Sequence, residues 1–283
     1  MEVIRTPVAM TAWANRMIAA GESIALVPTM GYFHKGHLCL MRRARELASR
    51  AVVSLFVNPI QFGPKEDLSR YPRDFHRDAA SADREGVDVL FAPEAAAMYP
   101  EGSQTRVTVS GLTSGLCGAS RPGHFEGVTT VVAKLFHLVK PNVAVFGQKD
   151  FQQLAVIRRM TADLNWDIEI VGHPIVREAD GLAMSSRNVY LSSGERHSAL
   201  ALSRAIRHAR QRVRAGLDDV AMLLHEVREI VTATPGVAVE YIECVDATTL
   251  APCTTLAPGV VLALAARVGA TRLIDNDNLF AEV

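Results

Sequence analysis

Residues 24–37 read Ile-Ala-Leu-Val-Pro-Thr-Met-Gly-Tyr-Phe-His-Lys-Gly-His, and this stretch decides the predicted fold. Its apolar start at residues 24–27 is typical of a buried parallel strand. A proline and a glycine then interrupt the strand, and the amphipathic pattern that follows predicts a helix over residues 36–50. His34 and His37 therefore lie where a strand passes into the N-terminus of a helix.

This strand-to-helix junction suits phosphate binding. The first turn of a helix offers unpaired N–H groups and the positive end of the helix dipole. Gly36 lets a ligand approach the backbone closely, and two histidines three residues apart, His34 and His37, can face one phosphate chain. The His-x-Gly-His pattern alone is also compatible with an ordinary turn that carries two surface histidines.

Strands and helices alternate through the first half of the chain. Further strands are predicted at residues 51–57, 87–91, 143–146 and 168–171, and helices at residues 74–85, 127–139 and 150–164. Residues 105–109 alternate polar and apolar side chains, which predicts an edge strand. The alternation is typical of an α/β fold with a doubly wound parallel sheet, in which ligands bind at the carboxyl ends of the strands.

The pattern changes after residue 178. Two charged amphipathic helices are predicted at residues 195–215 and 218–232, and three strands follow at residues 239–245, 260–267 and 271–275. We therefore predict a nucleotide-binding domain over residues 1–178. A smaller α+β C-terminal domain over residues 179–283 is expected to close on the site as a lid.

The composition argues against several functional classes. Lys plus Arg and Asp plus Glu each number 30 among 283 residues, so no net charge favours nucleic acid or an acidic membrane surface. The longest apolar region, residues 127–147, is interrupted by Lys134 and Lys140, which argues against a transmembrane helix. The four cysteines lack the spacing of zinc ligands and of disulfide frameworks, which indicates thiols in a reducing cytoplasm. They are Cys39, Cys117, Cys244 and Cys253.

Two loop motifs follow predicted elements. Residues 57–63, Val-Asn-Pro-Ile-Gln-Phe-Gly, come after the second strand, and the neutral amide of Gln61 can bind a carboxylate or a hydroxyl. The Asn-Pro pair is equally typical of a plain turn. Arg121 precedes a glycine-containing loop that leads into a helix carrying Val131 and Val132. Arg121 is expected either to contact a ligand directly or to close a structural loop. The two valines are expected either in the core, which is the commoner place for such residues, or beside a pocket.

Two further motifs carry positive charge and hydroxyl groups. Residues 146–153 read Phe-Gly-Gln-Lys-Asp-Phe-Gln-Gln; Asp150 is a good helix N-cap, and Lys149 supplies a mobile charge for phosphate. Residues 181–188 read Gly-Leu-Ala-Met-Ser-Ser-Arg-Asn. Their two serines and one arginine suit a polyphosphate, although a polar linker has the same composition. On the helix predicted at residues 74–85, Asp78 and Asp83 are expected to be solvated.

Four of these blocks, in order, resemble the pantothenate synthetases (pantoate–β-alanine ligases), within the nucleotidyltransferase superfamily that carries a His-x-Gly-His signature. They are Pro-Thr-Met-Gly with His-x-Gly-His, Asn-Pro-Ile-Gln-Phe, Phe-Gly-Gln-Lys-Asp and Ser-Ser-Arg-Asn. The family usually has glutamate where this chain has Gln148. The resemblance implies a Rossmann-like fold, a homodimer, and synthesis of pantothenate, AMP and pyrophosphate from pantoate, β-alanine and ATP with Mg2+.

The resemblance also assigns roles to residues. It implies that His37 is a proton donor and that His34, Lys149 and Arg187 act with it in catalysis. Gln61 and Gln153 are expected to bind pantoate, and Gln61 also β-alanine. The residues implied to bind ATP are Met30, Gly31, Tyr32, Phe33, His34, Lys35, Gly36, His37, Gly147, Gln148, Lys149, Asp150, Val176, Met184, Ser185, Ser186 and Arg187.

Other functions stay open on the sequence. An adenylyltransferase of the same superfamily would transfer AMP to a phosphate, whereas the blocks around Gln61 and Gln153 favour a partner with a carboxylate and hydroxyls. A non-catalytic nucleotide-binding protein is disfavoured because His37, Lys149 and Arg187 are all present. A tRNA synthetase is disfavoured because the chain is short and has no basic excess. The sequence does not decide whether water, the leaving phosphate or His37 takes the proton of the β-alanine amine.

Overall fold

A computed structural model describes residues 1–64 and 66–281 of the chain. It divides into two compact units. Unit 1 comprises Met1–Gly111, Arg121–Gln148 and Val156–Pro174, and unit 2 comprises Leu112–Ser120, Lys149–Ala155 and the chain from Ile175 onward. Within the described ranges, no helix combines the length and hydropathy needed to cross a bilayer. The single domain border at residue 178 stays a prediction.

Unit 1 is built on six strands and their helices. The strands are β1 (Glu2–Ile4), β2 (Ile24–Thr29), β3 (Arg50–Leu55), β4 (Val89–Phe91), β5 (Val143–Gly147) and β6 (Glu169–His173). The helices are α1 (Pro7–Ala19), α2 (Lys35–Leu47), α3 (Phe75–Arg84), α4 (Ala95–Met98) and α6 (His124–Val139). Helix α7 (Phe151–Asp163) begins in unit 2 and ends in unit 1.

The six strands form one parallel sheet in the order β1-β4-β3-β2-β5-β6. Helices α2 and α3 cover one face, where Val27, Met41, Val53 and Leu90 are fully buried in a shared apolar cluster. Helix α6 contacts β2 and packs with α1. The predicted α/β class with a doubly wound parallel sheet is confirmed.

The N-terminal elements β1 and α1 were not predicted, although α1 carries a recognisable start signal. Thr6 caps the helix by accepting a hydrogen bond from the Ala9 N–H at 3.3 Å, and Pro7 occupies the first helical position. A threonine followed by proline is a common helix N-terminus, because proline lacks the N–H that the first turn leaves unused. The edge strand β1 is only three residues long, and only Ile4 is buried in it.

The prediction of an edge strand at residues 105–109 is wrong, because these residues adopt no strand. Two hydroxyls of α6 take the place of the hydrogen bonds to a neighbouring strand. The Val107 N–H donates to Thr130 Oγ1 at 3.0 Å, and Thr129 Oγ1 donates to the Val107 carbonyl at 2.5 Å. Helix side chains therefore satisfy the backbone that a neighbouring strand would otherwise pair.

Unit 2 contains a three-stranded antiparallel sheet with flanking helices. Its elements are α5 (Leu116–Ser120), α8 (Ser193–Arg214), α9 (Val220–Thr232), β7 (Val237–Asp246), β8 (Val260–Val268) and β9 (Thr271–Asn278). The strands lie in the order β7-β8-β9. Leu202, Leu223, Val227 and Leu262 form part of a continuous apolar core between the helices and this sheet. The predicted α+β character of the C-terminal part is confirmed.

Candidate active site

The strand order places two of the sequence motifs at one point of the parallel sheet. From β2 the chain runs outward through β3 and β4 on one side, and from β5 to β6 on the other. The order therefore reverses between β2 and β5, which pair side by side. Ligands in such sheets bind outside the carboxyl ends of the strands at this reversal. Met30 follows the end of β2 there, and Gly147 ends β5.

The turn after β2 has an unusual backbone. Gly31 has φ +90° and Tyr32 has φ +53°, so two successive residues adopt positive φ. A Cβ on Gly31 would lie 2.6 Å from Leu55 Cδ1 and 3.0 Å from Asp78 Oδ2. Conformation and space therefore both require glycine at this position. The turn redirects the chain from β2 into α2.

Two neighbouring residues of α3 hold this turn. Asp78 Oδ2 accepts from the Tyr32 N–H at 2.6 Å, and Oδ1 accepts from the Phe33 N–H at 2.7 Å. Arg77 donates to the Phe33 carbonyl at 2.6 Å and places its guanidinium 4.5 Å from the centre of the Tyr32 ring. The N–H groups of Tyr32 and Phe33 and the carbonyl of Phe33 are thus all hydrogen-bonded to α3.

The expectation that Asp78 is solvated is wrong, since only 1% of the residue is exposed. Burial raises the pKa of the Asp78 carboxyl above its ordinary value, and the two N–H donors act in the opposite direction. Both carboxylate oxygens are needed, because each accepts from a different amide. Asp78 therefore stabilises the conformation of the turn.

The two signature histidines lie at the start of α2. His34 is the N-cap residue, and its backbone N–H donates to Nδ1 of His37 at 3.3 Å. Because Nδ1 accepts, the neutral imidazole of His37 carries its proton on Nε2. The two rings pack 4.1 Å apart between centroids. The motif thus gives His37 a defined tautomer with a donor at Nε2.

The orientation of Gln61 follows from a chain of hydrogen bonds. Asn58 Nδ2 donates to the Gly127 carbonyl at 2.9 Å and to Gln61 Oε1 at 3.0 Å, and Asn58 Oδ1 accepts from the Tyr99 hydroxyl at 2.8 Å. A backbone carbonyl can only accept, so Gly127 fixes which way the Asn58 amide faces, and Asn58 fixes Gln61. Burial raises the pKa of Tyr99, which keeps its hydroxyl a donor.

As a result, Gln61 directs its amide nitrogen toward the turn after β2. Gln61 Nε2 lies 3.1 Å from the sulfur of Met30, a weak acceptor. This contact brings together two residues from different predicted motifs. The N–H donors of Gln61 therefore lie beside residue 30, at the carboxyl end of β2.

Helix α6 approaches the Gln61 turn more closely than a side chain allows. A Cβ on Gly127 would lie 2.6 Å from Gln61 Cα and from the Ile60 carbonyl oxygen. Val131 and Val132, one turn further along α6, are buried at 7% and 3% exposure. Gly127 therefore permits the close approach that sets the Asn58 and Gln61 amides.

Arg121 is bound within unit 1 by an acidic side chain. It donates from Nε and Nη2 to the two Glu66 oxygens at 2.6 and 2.7 Å, and His124 Nδ1 lies 2.9 Å from the Gln61 carbonyl. Burial of Glu66 acts to raise its pKa, but the bonds and charge of Arg121 outweigh it and hold the pKa below its ordinary value. Arg121 thus ties the loop after Gln61 to the start of α6.

Unit 2 carries the other predicted ATP residues. Lys149 lies in a short 3-10 helix, Gln148–Asp150, that leads into α7. Of the two glutamines that follow, Gln152 is buried and bonds to the carbonyls of Leu112 and Gly115 at 2.9 Å each. The side-chain amide of Gln152 therefore makes structural hydrogen bonds. The predicted pantoate ligand is the next residue, Gln153, which is half-buried.

The serine and arginine loop is locally ordered. Ser185 caps the 3-10 helix Ser186–Tyr190 by accepting from the Arg187 N–H at 3.2 Å. The Met184 N–H donates to the Val176 carbonyl at 3.0 Å. Asn188 Nδ2 donates to Glu178 Oε1 at 2.7 Å. Two predicted ATP residues, Val176 and Met184, are therefore paired directly, and the loop between them has a defined path.

Comparisons with known proteins identify the family. The family model of pantoate-beta-alanine ligase matches residues 2–278. The chain belongs to this family. The pantothenate synthetase of Heliobacterium modesticaldum is 59% identical over 276 residues, which are 98% of each chain. That of Geobacter sulfurreducens is 55% identical, also over 276 residues and 98% of each chain.

Solved pantoate–β-alanine ligases share the fold. Pantothenate synthetase from Thermus thermophilus is 48% identical with a TM-score of 0.95, covering 99% of this chain and 100% of that one. The ligase from Francisella tularensis, complexed with beta-gamma ATP and β-alanine, is 31% identical with a TM-score of 0.82. That comparison covers 100% of this chain and 99% of the Francisella chain.

Sequence reasoning missed several residues that support the ligase site. Asp78 was assigned to solvent, yet it shares the buried face of α3 with Ser81 and Ala82, three and four residues on. That spacing is a signal for burial. Asn58 was treated only as a turn residue, and Tyr99 was not considered. No local pattern connects Tyr99 to Asn58, because 41 residues separate them.

Proposed function

We propose that this protein condenses pantoate with β-alanine at the expense of ATP, giving pantothenate, AMP and pyrophosphate. The observation that carries the proposal is the match to pantoate-beta-alanine ligases over residues 2–278. The Francisella relative was solved with a nucleotide and β-alanine. The tautomer of His37 and the orientation of Gln61 support the same chemistry.

In the first step of the proposed reaction, a carboxylate oxygen of pantoate attacks the α-phosphorus of ATP and pyrophosphate leaves. Negative charge grows on the α-phosphate and on the leaving group. His37 Nε2 is the proposed proton donor to this charge, with His34 beside it at the N-terminus of α2. Donors that are already in place stabilise such charge without reorganising during the reaction.

Gln61 and Gln153 are the proposed pantoate ligands. The hydrogen bond from Asn58 leaves Gln61 Nε2 directed toward residue 30, where it lies 3.1 Å from the Met30 sulfur. A pantoate carboxylate or hydroxyl is a stronger acceptor than a thioether. A neutral amide also adds no charge that would weaken the carboxylate as a nucleophile.

The proposed ATP ligands come from both parts of the chain. In unit 1 they are Met30, Gly31, Tyr32, Phe33, His34, Lys35, Gly36, His37, Gly147 and Gln148. The proposed remaining ligands are Lys149, Asp150, Val176, Met184, Ser185, Ser186 and Arg187. Lys149 and Arg187 supply positive charge, and the serine hydroxyls donate to phosphate oxygens.

In the second step, the β-alanine amine attacks the acyl carbon of the pantoyl adenylate and AMP leaves. Gln61 is proposed to bind β-alanine as well as pantoate. No covalent bond to the protein forms in this scheme. The protein acts mainly by orienting the reactants and by stabilising charge.

Mg2+ is proposed as part of the nucleotide substrate. Among the described residues, no three His, Cys, Asp or Glu side chains form a group that could hold a metal ion. Mg2+ is commonly bound through substrate phosphates with several retained waters. We assign no catalytic step to it. A homodimer is proposed from the family resemblance, and a cytoplasmic location from the spacing of the cysteines.

Product analysis tests this function. The purified protein is incubated with ATP, Mg2+, pantoate and β-alanine, and the products are quantified by chromatography and phosphorus NMR. We expect pantothenate, AMP and pyrophosphate in equal amounts, with no turnover when either organic substrate is omitted. Transfer of AMP to a phosphate acceptor would instead identify an adenylyltransferase, and absence of any turnover would leave only nucleotide binding.

Removal of the proposed proton donor gives a further prediction. His37→Ala should lower kcat by roughly 10²–10³, the usual loss for one donor to a developing charge. The thermal melt should remain close to wild type. His225→Ala is the control, because that side chain is 73% exposed on α9. Unchanged turnover in a folded His37→Ala protein would remove His37 from the catalytic residues.

A further inference from the structure

Strand β9 carries two adjacent polar residues that are almost fully buried. Asp275 is 3% exposed and Asn276 is 7% exposed. Buried polar groups are costly unless their hydrogen bonds are satisfied. The hydrogen bonds of these two side chains reach two segments that carry proposed ATP ligands. All the residues involved belong to unit 2.

Asn276 holds the backbone of Lys149. Its Nδ2 donates to the Lys149 carbonyl at 2.8 Å. A carbonyl only accepts, so this bond also fixes the orientation of the Asn276 amide. The lysine stem is long and flexible, and the direction in which it leaves the main chain depends on the backbone that Asn276 fixes.

Asp275 holds the segment that leads to the serine and arginine loop. Its two oxygens accept from Arg177 Nη1 at 2.7 Å and from Nη2 at 3.0 Å. Arg177 Nη1 also donates to the Gly181 carbonyl at 3.2 Å. Forked carboxylate–guanidinium pairs restrict both distance and angle. Gly181 itself adopts φ +96°, so the turn that precedes the loop has a defined geometry.

The bond from Asn276 to Lys149 and the bonds from Arg177 to Asp275 are the two tethers of β9, and they involve adjacent residues of this strand. Asp275 Oδ1 also accepts from the Asn276 N–H at 2.9 Å, and β9 lies against the 3-10 helix Ser186–Tyr190. One pair of residues on β9 thus holds both the backbone of Lys149 and the turn before Ser185 through hydrogen bonds. A shift of β9 would disturb both segments.

We infer that Asp275 and Asn276 are positioning residues of the ligase, which set the Lys149 ammonium and the loop of residues 181–187 for the ATP phosphates. This inference rests on the proposed function. Neither side chain is required to touch a substrate. The C-terminal strand β9 therefore contributes to ATP activation through the residues it holds.

A double-mutant cycle tests the part played by Asn276. Asn276→Ala should lower kcat/KM for ATP by up to about 10²-fold, as expected for a small displacement of a reacting group. If Asn276 acts through Lys149, the same substitution made in Lys149→Ala should cause almost no further loss, because the group being positioned is already gone. The thermal melt of each variant is measured beside the kinetics.

Asn278→Ala is the matched control. Asn278 is the same residue type two positions along β9, and its Oδ1 accepts from the Phe280 N–H at 3.1 Å. Its replacement should change the melt without a selective effect on ATP. Asp275→Asn provides a second test, since it removes an oxygen from the Arg177 fork. It should raise KM for ATP and leave KM for β-alanine near the wild-type value.

The outcomes separate this inference from the proposed function. If the wild-type protein makes no pantothenate, the proposed function fails and the inference fails with it. If the wild-type protein is active and both Asn276→Ala and Asp275→Asn match it, the inference alone is overturned. Equal multiplicative losses from Asn276→Ala in the wild-type and Lys149→Ala backgrounds also contradict it, because they indicate a general structural role.

Discussion

At the scale of single residues, Asp78 shows how a buried charge can serve a neighbouring loop. Its two oxygens accept from the amides of Tyr32 and Phe33, and the signature histidines follow directly. These two bonds offset part of the energetic cost of burying the carboxylate, and burial still raises its pKa. The position of His34 at the helix N-cap therefore depends on Asp78, which lies far from it in the sequence.

Asp78→Asn should impair the ligase. Asparagine keeps one acceptor oxygen but turns an NH2 group toward the second amide, which leaves a buried N–H without an acceptor. We expect a loss of about 1–3 kcal/mol in the free energy of unfolding and a fall in kcat/KM of up to about 10²-fold. Chemical denaturation and steady-state kinetics measure the two effects.

Asp83→Asn is the control for this substitution. Asp83 lies on the same helix, its side chain is 63% exposed, and it pairs with the N-terminal ammonium at 3.2 Å. A surface change of this kind should alter stability by less than about 0.5 kcal/mol. Equal effects of Asp78→Asn and Asp83→Asn would show that the turn does not depend on Asp78.

At the scale of secondary-structure elements, the contact of α6 with the turn at Gln61 is set by one glycine. Gly127→Ala would place a Cβ 2.6 Å from Gln61 Cα. We expect a loss of about 1–3 kcal/mol, as for other overpacked sites, together with a higher KM for pantoate. Gly194→Ala in α8 is the control, because a Cβ there meets nothing within 4 Å.

Gly194→Ala should stabilise the protein by about 0.4–1 kcal/mol, since alanine restricts the unfolded chain more than glycine does. The comparison uses urea unfolding for stability and initial rates at varied pantoate for KM. If both variants bind pantoate like the wild type, the close approach of α6 does not position Gln61. A rise in KM for pantoate in Gly127→Ala alone supports the view that α6 orients Gln61 through the hydrogen bonds of Asn58.

The pair of Glu66 and Arg121 makes a pH-dependent contribution to stability. The pKa of Glu66 in the folded protein lies below its ordinary value of 4.5. The carboxylate is therefore favoured by folding, and its contribution is present above about pH 4.5 and is lost as the pH falls through the lowered pKa. Glu66→Gln should thus destabilise the protein near neutral pH and progressively less below about pH 4.5.

Unfolding free energies of wild type and Glu66→Gln, measured from about pH 6 down to about pH 3, test this expectation. Glu101→Gln, which replaces an exposed glutamate, is the control. A difference between wild type and Glu66→Gln that is independent of pH would show that the ion pair does not stabilise the loop.

Five of the six strands of the parallel sheet could be predicted because buried parallel strands are continuous apolar runs, as in β2 and β3. The same reasoning failed at residues 105–109, where alternation looks identical whether a strand or two threonine hydroxyls satisfy the backbone. Helix α1 is predictable from its N-terminal residues, because Thr6 caps it and Pro7 occupies the first helical position. Local sequence does not encode contacts such as Tyr99 to Asn58.

At the scale of the whole molecule, the strand order decides which sequence motifs lie close together. The reversal of strand order between β2 and β5 brings the residues after Thr29 and those at Gly147 to the same edge of the sheet. The alternation of strands and helices predicted a doubly wound parallel sheet, whereas the strand order came from the structure. The roles of individual residues came from resemblance to the ligase family, and the tethers on β9 became visible only in the structure.

The proposed first step of the reaction is the activation of pantoate as an adenylate. Isotope exchange between pyrophosphate and ATP, measured with pantoate present and β-alanine absent, tests it most directly. We expect exchange that depends on pantoate and is strongly reduced in His37→Ala. An active enzyme that shows no exchange until β-alanine is added would contradict a separate adenylation step.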